Sequence, residues 1–352
     1  MIAIYILFAI FLFGLLIFVH EGGHFLAAKA CGVRVDEFAL GMGPALWKKQ
    51  MGETLYALRL FPIGGYCAMA GENEEIDDPR GFLAQAPWKR IIILAAGAAM
   101  NFLLGYLIVL LLYANASAFR APVISEFMDG CPYVGENAFQ VGDRILSVDG
   151  HTIYMLGDIS EYLAEGETHS FTVRRDGKRV HIAPMKIVPV ELPGVEGKYY
   201  GFYFGFDEAT LPNRLLYAGK ASLEYVRMVF TGLHQLISGE AKASDLSGPV
   251  GIVDLMAETG EQAASLREAV EGILYLAAFI AVNLCVMNLL PIPALDGGRI
   301  FLLLVTCLIE AVTRKKLDPK YEAYIHAAGM VLLLALMAFV MFNDIFRIVR
   351  NG

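Results

Sequence analysis

Long apolar segments constrain this chain more than any other feature of its sequence. The first 19 residues carry no charge, and a membrane-spanning helix needs about 20 predominantly apolar residues. A cleaved signal peptide would instead have a basic amino end and an apolar run of about 7 to 15 residues. We therefore predict a retained helix from about Ile2 to Cys31, with further spans over 91–113, 272–295 and 327–342, the last extended at both ends.

Composition agrees with a membrane protein. The 352 residues are 57% hydrophobic and 18% charged, whereas soluble proteins carry about 25% charged residues. A formal net charge of -8 argues against a nucleic-acid partner. The five cysteines lack C-x-x-C spacing, so they indicate neither a disulfide framework nor a thiolate metal site.

The third span is predicted to be broken. Pro291 and Pro293 interrupt its helix. The apolar run that follows, 300–312, has only 13 residues, which make about 20 Å of helix where about 30 Å is needed. We treat this run as a continuation of the third span, which leaves four spans.

Lysine and arginine near the span ends predict orientation, because these residues concentrate on the cytoplasmic side. The segment 29–90 has eight of them and 293–326 has five, whereas the amino end has none and the carboxyl tail has two. We therefore expect both termini and the region 114–271 to be extracytoplasmic, although the two tail arginines favour the opposite orientation weakly.

The insertion between the second and third spans has the pattern of a β domain. Residues 119–189 alternate in short strands, and Asp149-Gly150 and Asp176-Gly177 are typical of hairpin turns. The stretch "VGDRILSVDG" is similar to the central strand and turn of a PDZ domain. Another small β domain would fit the same pattern. PDZ domains bind an extended peptide at a sheet edge.

Two further segments have distinctive patterns. Residues 213–238 predict an amphipathic helix, which either lies on the membrane surface or packs against the β domain.

The loop 32–90 has Gly/Pro-rich, nearly uncharged stretches on both sides of "ETLYALRLF", which has strand character. An apolar hairpin between two spans indicates a re-entrant or interfacial element, and irregular backbone at that depth must line protein or a wet cavity.

Ionisable residues inside the first span point to a metal. An acidic residue at membrane depth costs about 2.5 to 3.5 kcal/mol, yet His20, Glu21 and His24 lie together in "LLIFVHEGGHFLAAK". Four-residue spacing puts both histidines on one helix face, where their nitrogens can reach one Zn²⁺. Glu21 is about 100° around the helix from His20. H-E-x-x-H therefore supplies two ligands and a general base.

A catalytic zinc site uses three protein ligands, and the first helix offers no third one. Asp296, in "NLLPIPALDGGR", is another acid at membrane depth, on backbone that the two prolines keep from being helical. It either ligates the metal or caps the following helix. In the second span, Gly97, Asn101 and Gly105 recur every four residues, which indicates either close helix packing or a role near the metal.

Taken together, these motifs resemble the site-2 protease family of intramembrane zinc metalloproteases, in its bacterial RseP/RasP-like branch. The motifs are "HEGGH", "GMGP", "PIGGY", "GAAMNFLLG", "LSGPVGI" and "NLLPIPALDGG", together with one PDZ-like insertion. They cover nearly the whole chain in the family's order. Ala98 stands where the family often has proline, and some members have two PDZ units rather than one.

The resemblance implies His20, His24 and Asp296 as ligands of one Zn²⁺ and Glu21 as the base. It also implies a set of residues that receive the substrate, with the 38–66 hairpin pairing with it as a strand. These residues are Asn288, Pro291, Pro293, Gly43, Gly64, Gly65 and Asn101.

We therefore predict a polytopic α-helical membrane protein with four transmembrane helices, the third broken, an inserted β-rich PDZ-like domain and a re-entrant β-hairpin loop. The predicted divisions are 1–113, with the first two spans; 114–192, the PDZ-like domain; 193–271, a helical connector; and 272–352, with the last two spans.

The predicted function is regulated proteolysis, in the bacterial cytoplasmic membrane, of single-span proteins whose outer domains have already been trimmed. The resemblance implies anti-sigma factors or remnant signal peptides as substrates, and an extended peptide as a partner of the PDZ-like domain. A non-catalytic PDZ-bearing scaffold is the alternative, but it would have no use for the His-Glu-His and Asp296 set. A zinc transporter would need ionisable residues along several spans, and the second and fourth spans offer almost none.

Overall fold

The computed structural model describes residues 2–72, 74, 76–193, 197–240, 247–314 and 320–351. Leu246 of the "LSGPVGI" motif, and Lys315 and Lys316 of the orientation argument, lie outside these residues. Contacts divide the chain into two compact units. We call Met1–Val109 with Tyr225–Gly352 the helical unit and Leu110–Glu224 the β-rich unit.

Helices dominate the helical unit, with one β-hairpin between the first two. Its elements are α1 (Ile2–Ala30), β1 (Val35–Met51), β2 (Thr54–Met69), α2 (Pro87–Leu112), α5 (Pro249–Gln262), α6 (Leu266–Asn288), α7 (Asp296–Thr313) and α8 (Lys320–Asn351). A further helix, α4 (Leu211–Ser238), begins in the β-rich unit and ends in the helical unit.

Within the described residues, four helices are long and apolar enough to cross a membrane, as the sequence predicts. They are Ile2–Ala30, Pro87–Asn115, Leu266–Asn288 and Ala323–Phe346. The third of them, α6, ends at Asn288, and the chain between residues 289 and 295 is not helical. Pro291 and Pro293 lie in this break, because proline lacks the N–H that a helix needs and clashes with the preceding turn.

Glycines allow the helices of the helical unit to approach closely. A Cβ on Gly23 of α1 would lie 2.5 Å from the carbonyl oxygen of Ala96 in α2, and one on Gly105 of α2 would lie 2.9 Å from Val282 of α6. A Cβ on Gly260 of α5 would lie 2.7 Å from the ring of Tyr5 in α1. These crossings need residues without side chains.

The hairpin of β1 and β2 is antiparallel, with several register shifts along its length. Gly41, Gly43 and Gly64 have φ values of 87°, 85° and 78°, a left-handed backbone that glycine adopts without steric cost. The strands therefore bend at these residues. Large apolar side chains near the hairpin tip are exposed, and they include Met42, Leu46, Trp47, Leu58 and Phe61.

An antiparallel sheet forms the β-rich unit. Its strands are β3 (Ala118–Phe127), β4 (Arg144–Val148), β5 (His151–Thr152), β6 (Thr168–Arg175), β7 (Lys178–Lys186) and β10 (Phe202–Glu208), in the order β10-β3-β4-β6-β7 with β5 paired to β4. The short strands β8 (Val190–Glu191) and β9 (Lys198–Tyr199) pair separately, and the helix α3 (Gly157–Leu163) follows β5.

The two Asp-Gly turns predicted from the sequence are confirmed. Asp149 and Gly150 join β4 to β5, Asp176 and Gly177 join β6 to β7, and all four have positive φ. Two consecutive residues with positive φ form the hairpin turn whose twist matches that of the strands. The apolar faces of these strands cover one core.

The sheet extends past residue 192, where the sequence places the end of the PDZ-like domain. Phe202–Glu208 forms β10, which pairs with β3 at the other end of the unit. This pairing joins residues more than 70 positions apart, and local pattern does not encode such contacts. The helix predicted over 213–238 is present as α4, whereas α5 was not anticipated.

Candidate metal centre

The first helix brings two histidine nitrogens together. His20 and His24 lie one turn apart on α1, and their Nε2 atoms are 3.2 Å from each other. His24 is buried, with 7% of its surface exposed. Two lone pairs at this separation repel each other unless a proton or a cation lies between them.

Asp296 completes the cluster from a distant part of the chain. Its Oδ2 lies 3.3 Å from His20 Nε2 and 3.4 Å from His24 Nε2. The helix α7 begins at Asp296, and Leu295 occupies the capping position without a side-chain hydrogen bond. Asp296 is therefore not the helix cap. Its Oδ2 is buried and meets no well-aligned hydrogen-bond donor among the described residues.

The three donor atoms fit a zinc ion. Ligands about 2.0 to 2.1 Å from one Zn²⁺ at tetrahedral angles lie about 3.3 to 3.4 Å from one another. The observed sides of the triangle are 3.2, 3.3 and 3.4 Å. Two imidazoles and one carboxylate also form a ligand set that catalytic zinc uses, with a fourth position open.

Partners on α2 orient both imidazoles. Nδ1 of His24 donates to the carbonyl oxygen of Ile93 at 2.8 Å, which leaves Nε2 as the ring's lone-pair donor. The side-chain amide of Asn101, itself buried, lies 3.3 Å from Nδ1 of His20. With Nε2 facing the cluster, Nδ1 carries the proton, and a half-turn of the amide lets Oδ1 accept it. Among the described residues, Oδ1 has no other hydrogen-bond partner.

Gly97 provides the space for the histidine rings. A Cβ there would lie 2.3 Å from Nε2 of His24 and 2.9 Å from Cε1 of His20. The sequence left two roles open for this small and polar face of α2, close helix packing and a place beside the histidines, and the face has both. Gly97 and Asn101 contact the histidines, and Gly105 packs against α6.

A cavity of about 400 Å³ borders the three donor atoms. Glu21 lines it beside His20, and Asn288 lines it from the end of α6. The last part of β2, residues 66–69, forms another wall. The backbone of Gly65 lies against Glu21, since a Cβ there would be 3.1 Å from its Cγ.

The other residues predicted to receive substrate do not line this cavity within the described part of the chain. Gly43 and Gly64 lie farther along the hairpin, where a Cβ would touch Phe61 and Met42 respectively. Pro291 and Pro293 lie in the break before α7. Pro293 packs against α8, because a Cβ on Gly329 would be 2.5 Å from it.

The Asp-Gly-Gly sequence lets α7 begin directly against this break. A Cβ on Gly297 would lie 2.3 Å from the carbonyl of Leu289, and one on Gly298 would lie 2.1 Å from that of Ile292. The N–H of Ala294, whose φ is 79°, donates to Nδ1 of His326 at 3.2 Å. These contacts hold the backbone that carries Asp296.

Sequence reasoning missed an ion pair that lies at the cavity. Arg299 of α7 bonds Glu72, which follows β2, and both side chains line the cavity. In the sequence Arg299 lies three residues after Asp296, and no pattern there pairs it with Glu72. Glu72 belongs to an acidic stretch, 71–80, which is typical of solvated surface. Its partner is 227 residues away, so no local signal identifies the pair.

Comparison with known proteins agrees with this geometry. The model of Peptidase family M50 matches residues 8–336. A putative zinc metalloprotease of Clostridium perfringens is 35% identical, over 97% of this chain and 98% of its own length. The regulator of sigma-W protease RasP of Bacillus subtilis is 27% identical, over 96% and 97%. A zinc metalloprotease RasP of Shouchella clausii is 29% identical, over the same shares. The chain therefore belongs to Peptidase family M50, the site-2 protease family, whose members are zinc metalloproteases of the membrane.

Proposed function

We propose that this protein hydrolyses a peptide bond in the transmembrane segment of a single-span protein, with His20, His24 and Asp296 holding one zinc ion and Glu21 acting as general base. The observation that carries the proposal is the triangle of donor atoms beside a cavity that Glu21 also lines. A structural cluster would have no need of an open cavity and a second acid.

The chemistry divides between the metal and Glu21. Zinc, when bound, supplies Lewis acidity, which polarises a carbonyl group and makes water more acidic. The Glu21 carboxylate accepts a proton from the water that attacks the scissile carbonyl and delivers it to the amide nitrogen that leaves. Asn101 and the carbonyl of Ile93 keep the imidazole rings in place during this transfer.

A substrate helix must unwind before it can be cut, because its carbonyls are bonded within the helix. Strand β2 offers replacement partners for the freed backbone groups. Within the described residues, the hairpin is a sheet of two strands only, and residues 66–69 of β2 line the cavity. We infer that the substrate adds to β2 as a third strand. The segment 54–61, the bends at Gly43 and Gly64, and Gly65 beside Glu21 belong to this surface.

The exposed apolar side chains of the hairpin support a re-entrant position, in which lipid rather than water covers them. Among the residues proposed to receive the substrate, Asn288 lines the cavity. Pro291 and Pro293 are proposed to act by keeping open the break that receives the substrate.

We place the protein in the bacterial cytoplasmic membrane, with both termini and the β-rich unit outside. An even number of spans supports termini on the same side, and the lysine and arginine distribution favours the extracytoplasmic side for them. The β-rich unit, as a PDZ-like domain that binds an extended peptide, would admit only substrates with trimmed outer domains. An anti-sigma factor fits such a route, and the name of the Bacillus subtilis relative supports it. Remnant signal peptides fit it as well.

The test compares purified wild type with Glu21→Gln in detergent. We expect the variant to retain about one zinc and to lose cleavage of a model single-span substrate by about 100-fold to 10,000-fold, which is the usual contribution of a general base. Glu165→Gln, at an exposed position of the β-rich unit, is the matched control and should cleave normally. Absence of zinc from wild type, or equal cleavage by both proteins, would favour the scaffold.

A further inference from the structure

Three arginines lie side by side on one face of the sheet in the β-rich unit. Arg144 of β4 is directly opposite Arg174 of β6, and Arg174 is directly opposite Arg179 of β7. The adjacent residues Ile145 and Val173 are buried on the other face, in the core. Like charges directly opposite each other destabilise a sheet, so the arginine row (these three residues) calls for a compensating charge.

The arginine row lines a cavity of about 710 Å³ together with Lys220 of α4 and Asp207 of β10. Asp207 is the only carboxylate among the described residues that line it. Its Oδ1 accepts from Arg144 at 2.6 Å, and its Oδ2 accepts from the hydroxyl of Tyr217 at 2.7 Å. One carboxylate therefore faces four cations.

The surrounding charges affect the ammonium group of Lys220. Burial lowers the pKa of its ammonium group, and the charges of Arg144 and Arg174 lower it further, although the carboxylates of Asp207 and Asp158 act in the opposite direction. Its Nζ lies over the ring of Tyr217, 4.9 Å from the ring centroid. A bound anion would offset the repulsion between these cations, because all of them could interact with it.

The cavity lies close to the end of a membrane span. The candidate span that contains α2 ends at Asn115. The next residue, Ala116, accepts a hydrogen bond from Arg214 of α4 at 3.2 Å. The beginning of α4 is thus attached to the end of the span. Lipid headgroups occupy about 5 to 8 Å beyond each side of the hydrocarbon core, so a cavity beside the end of a span can meet them.

Exposed apolar side chains lie beside the cations. Leu211, Leu215 and Leu216 of α4 expose 66%, 42% and 53% of their surfaces, and Leu216 also lines the cavity. A soluble anion such as free phosphate would use the cations alone. A lipid would use both features, since its headgroup carries the charge and its chains are apolar.

We propose that this cavity binds the phosphate of an anionic membrane lipid, with the lipid's acyl chain lying against the leucines of α4. The bound lipid compensates the arginine row and attaches the β-rich unit to the membrane surface. Neither the metal centre nor the proposed peptide-binding role requires this site.

The experiment uses the full-length protein, delipidated in a neutral detergent, and native mass spectrometry to count bound lipid. Short-chain phosphatidylglycerol, phosphatidylcholine and inorganic phosphate are titrated separately. We expect phosphatidylglycerol to bind at least about tenfold more tightly than phosphatidylcholine, because each cation near an anionic headgroup contributes an attraction of about 1 kcal/mol.

The double variant Arg174→Gln with Arg179→Gln should weaken phosphatidylglycerol binding by about tenfold or more. The control is Lys178→Gln with Lys198→Gln, which removes the same charge at two exposed positions that do not line the cavity. It should change binding by less than about twofold, because the cations that line the cavity stay in place. The general attraction between the protein and an anion falls equally in both variants, so a larger loss in the first one is due to the cavity.

Four outcomes would overturn the proposal. Equal binding of phosphatidylglycerol and phosphatidylcholine by the wild-type protein would show that headgroup charge is not recognised, and this measurement needs no variant. Equal losses in both double variants would show that the cavity is not the site. Binding of inorganic phosphate as tight as that of the lipid would assign a free anion instead. Displacement of the lipid by a short peptide with a free carboxylate, but not by its amide, would assign a peptide terminus.

Discussion

The candidate metal centre and the arginine row are clusters of opposite chemistry. In the first, two imidazole nitrogens and a carboxylate oxygen converge within 3.4 Å, with little room for anything but a cation. In the second, the three arginines and Lys220 surround a cavity with one carboxylate among its described lining residues. Each cluster is unfavourable without a partner of the other sign, and each therefore indicates a ligand.

The two clusters differ in how tightly their geometry is held. At the metal centre, buried partners fix the rings, and Gly97 leaves no space for another atom. In the arginine row only Arg144 has a side-chain partner among the described residues, Asp207, whereas Arg174 and Arg179 are placed by strand register and are exposed. A metal with fixed bond lengths requires the first arrangement. A lipid headgroup, which adapts its shape, can use the second.

Gly97→Ala should have the largest effect. The added Cβ would lie 2.3 Å from Nε2 of His24, so the ring must move, and a shift of about 1 Å at a reacting centre can cost about 100-fold in rate. We expect loss of zinc and at least that loss of cleavage, although alanine favours the helix itself. Elemental analysis and a cleavage assay measure both.

Gly14→Ala on α1 is the control for this substitution, because a Cβ there meets no atom within 4 Å. It should retain zinc and activity. If Gly97→Ala also retained both, the metal centre would be as adaptable as the arginine row, and the contrast between them would fail.

Asn101→Ala should have an intermediate effect. It removes the partner of His20 Nδ1, and loss of such a partner commonly weakens metal affinity by about 10-fold to 100-fold. Competition with a chelator of known affinity gives the change. Excess zinc should restore cleavage with an unchanged KM. A raised KM with normal zinc affinity would instead assign Asn101 to substrate binding.

Asp207→Asn should have the smallest effect, and it acts on the arginine row. The hydrogen bond from Arg144 lowers the pKa of Asp207, and the hydroxyl of Tyr217 lowers it further. A lowered folded-state pKa stabilises the fold fully above the ordinary value of 3.8, and this contribution is lost as the pH falls through the folded value. We expect about 1 kcal/mol, since the pair is partly exposed.

Hydrogen exchange in the β-rich unit of the full-length protein measures this effect, with wild type and Asp207→Asn compared at each pH. Their difference in protection should be present at pH 6, should shrink as the pH falls below about 4, and should vanish only below the lowered folded-state pKa of Asp207. At pH 6 the variant should also bind phosphatidylglycerol more tightly, because it leaves one more cation uncompensated. A difference that persists at low pH would mean that the carboxylate charge is not what stabilises the unit.

Much of the fold follows from local pattern. The four candidate spans, the proline break and the two Asp-Gly turns were predicted, because span length, missing N–H groups and turn conformation depend on adjacent residues. Strand β10 was placed in the connector, and α5 was not predicted. The pairing of β10 with β3 depends on contacts between distant residues.

The residues of the candidate site also fall into two groups, those that local spacing identifies and those that only contacts between distant segments bring together. His20, Glu21 and His24 are identified by their spacing on one helix. For Asp296 the sequence left the ligand and cap roles open, and the three-dimensional arrangement turns its Oδ2 toward the histidines. The Arg299–Glu72 pair at the cavity had no local signal.

The sequence by itself determined that this is a membrane protein with a metal-binding motif in its first span, because both properties depend on residues within one or a few helical turns. Only the tertiary structure decided which acid faces the histidines, why Gly97 must lack a side chain, and that three arginines lie in one row. These features depend on distances between atoms from separate helices and strands, and the packing of the folded chain sets such distances.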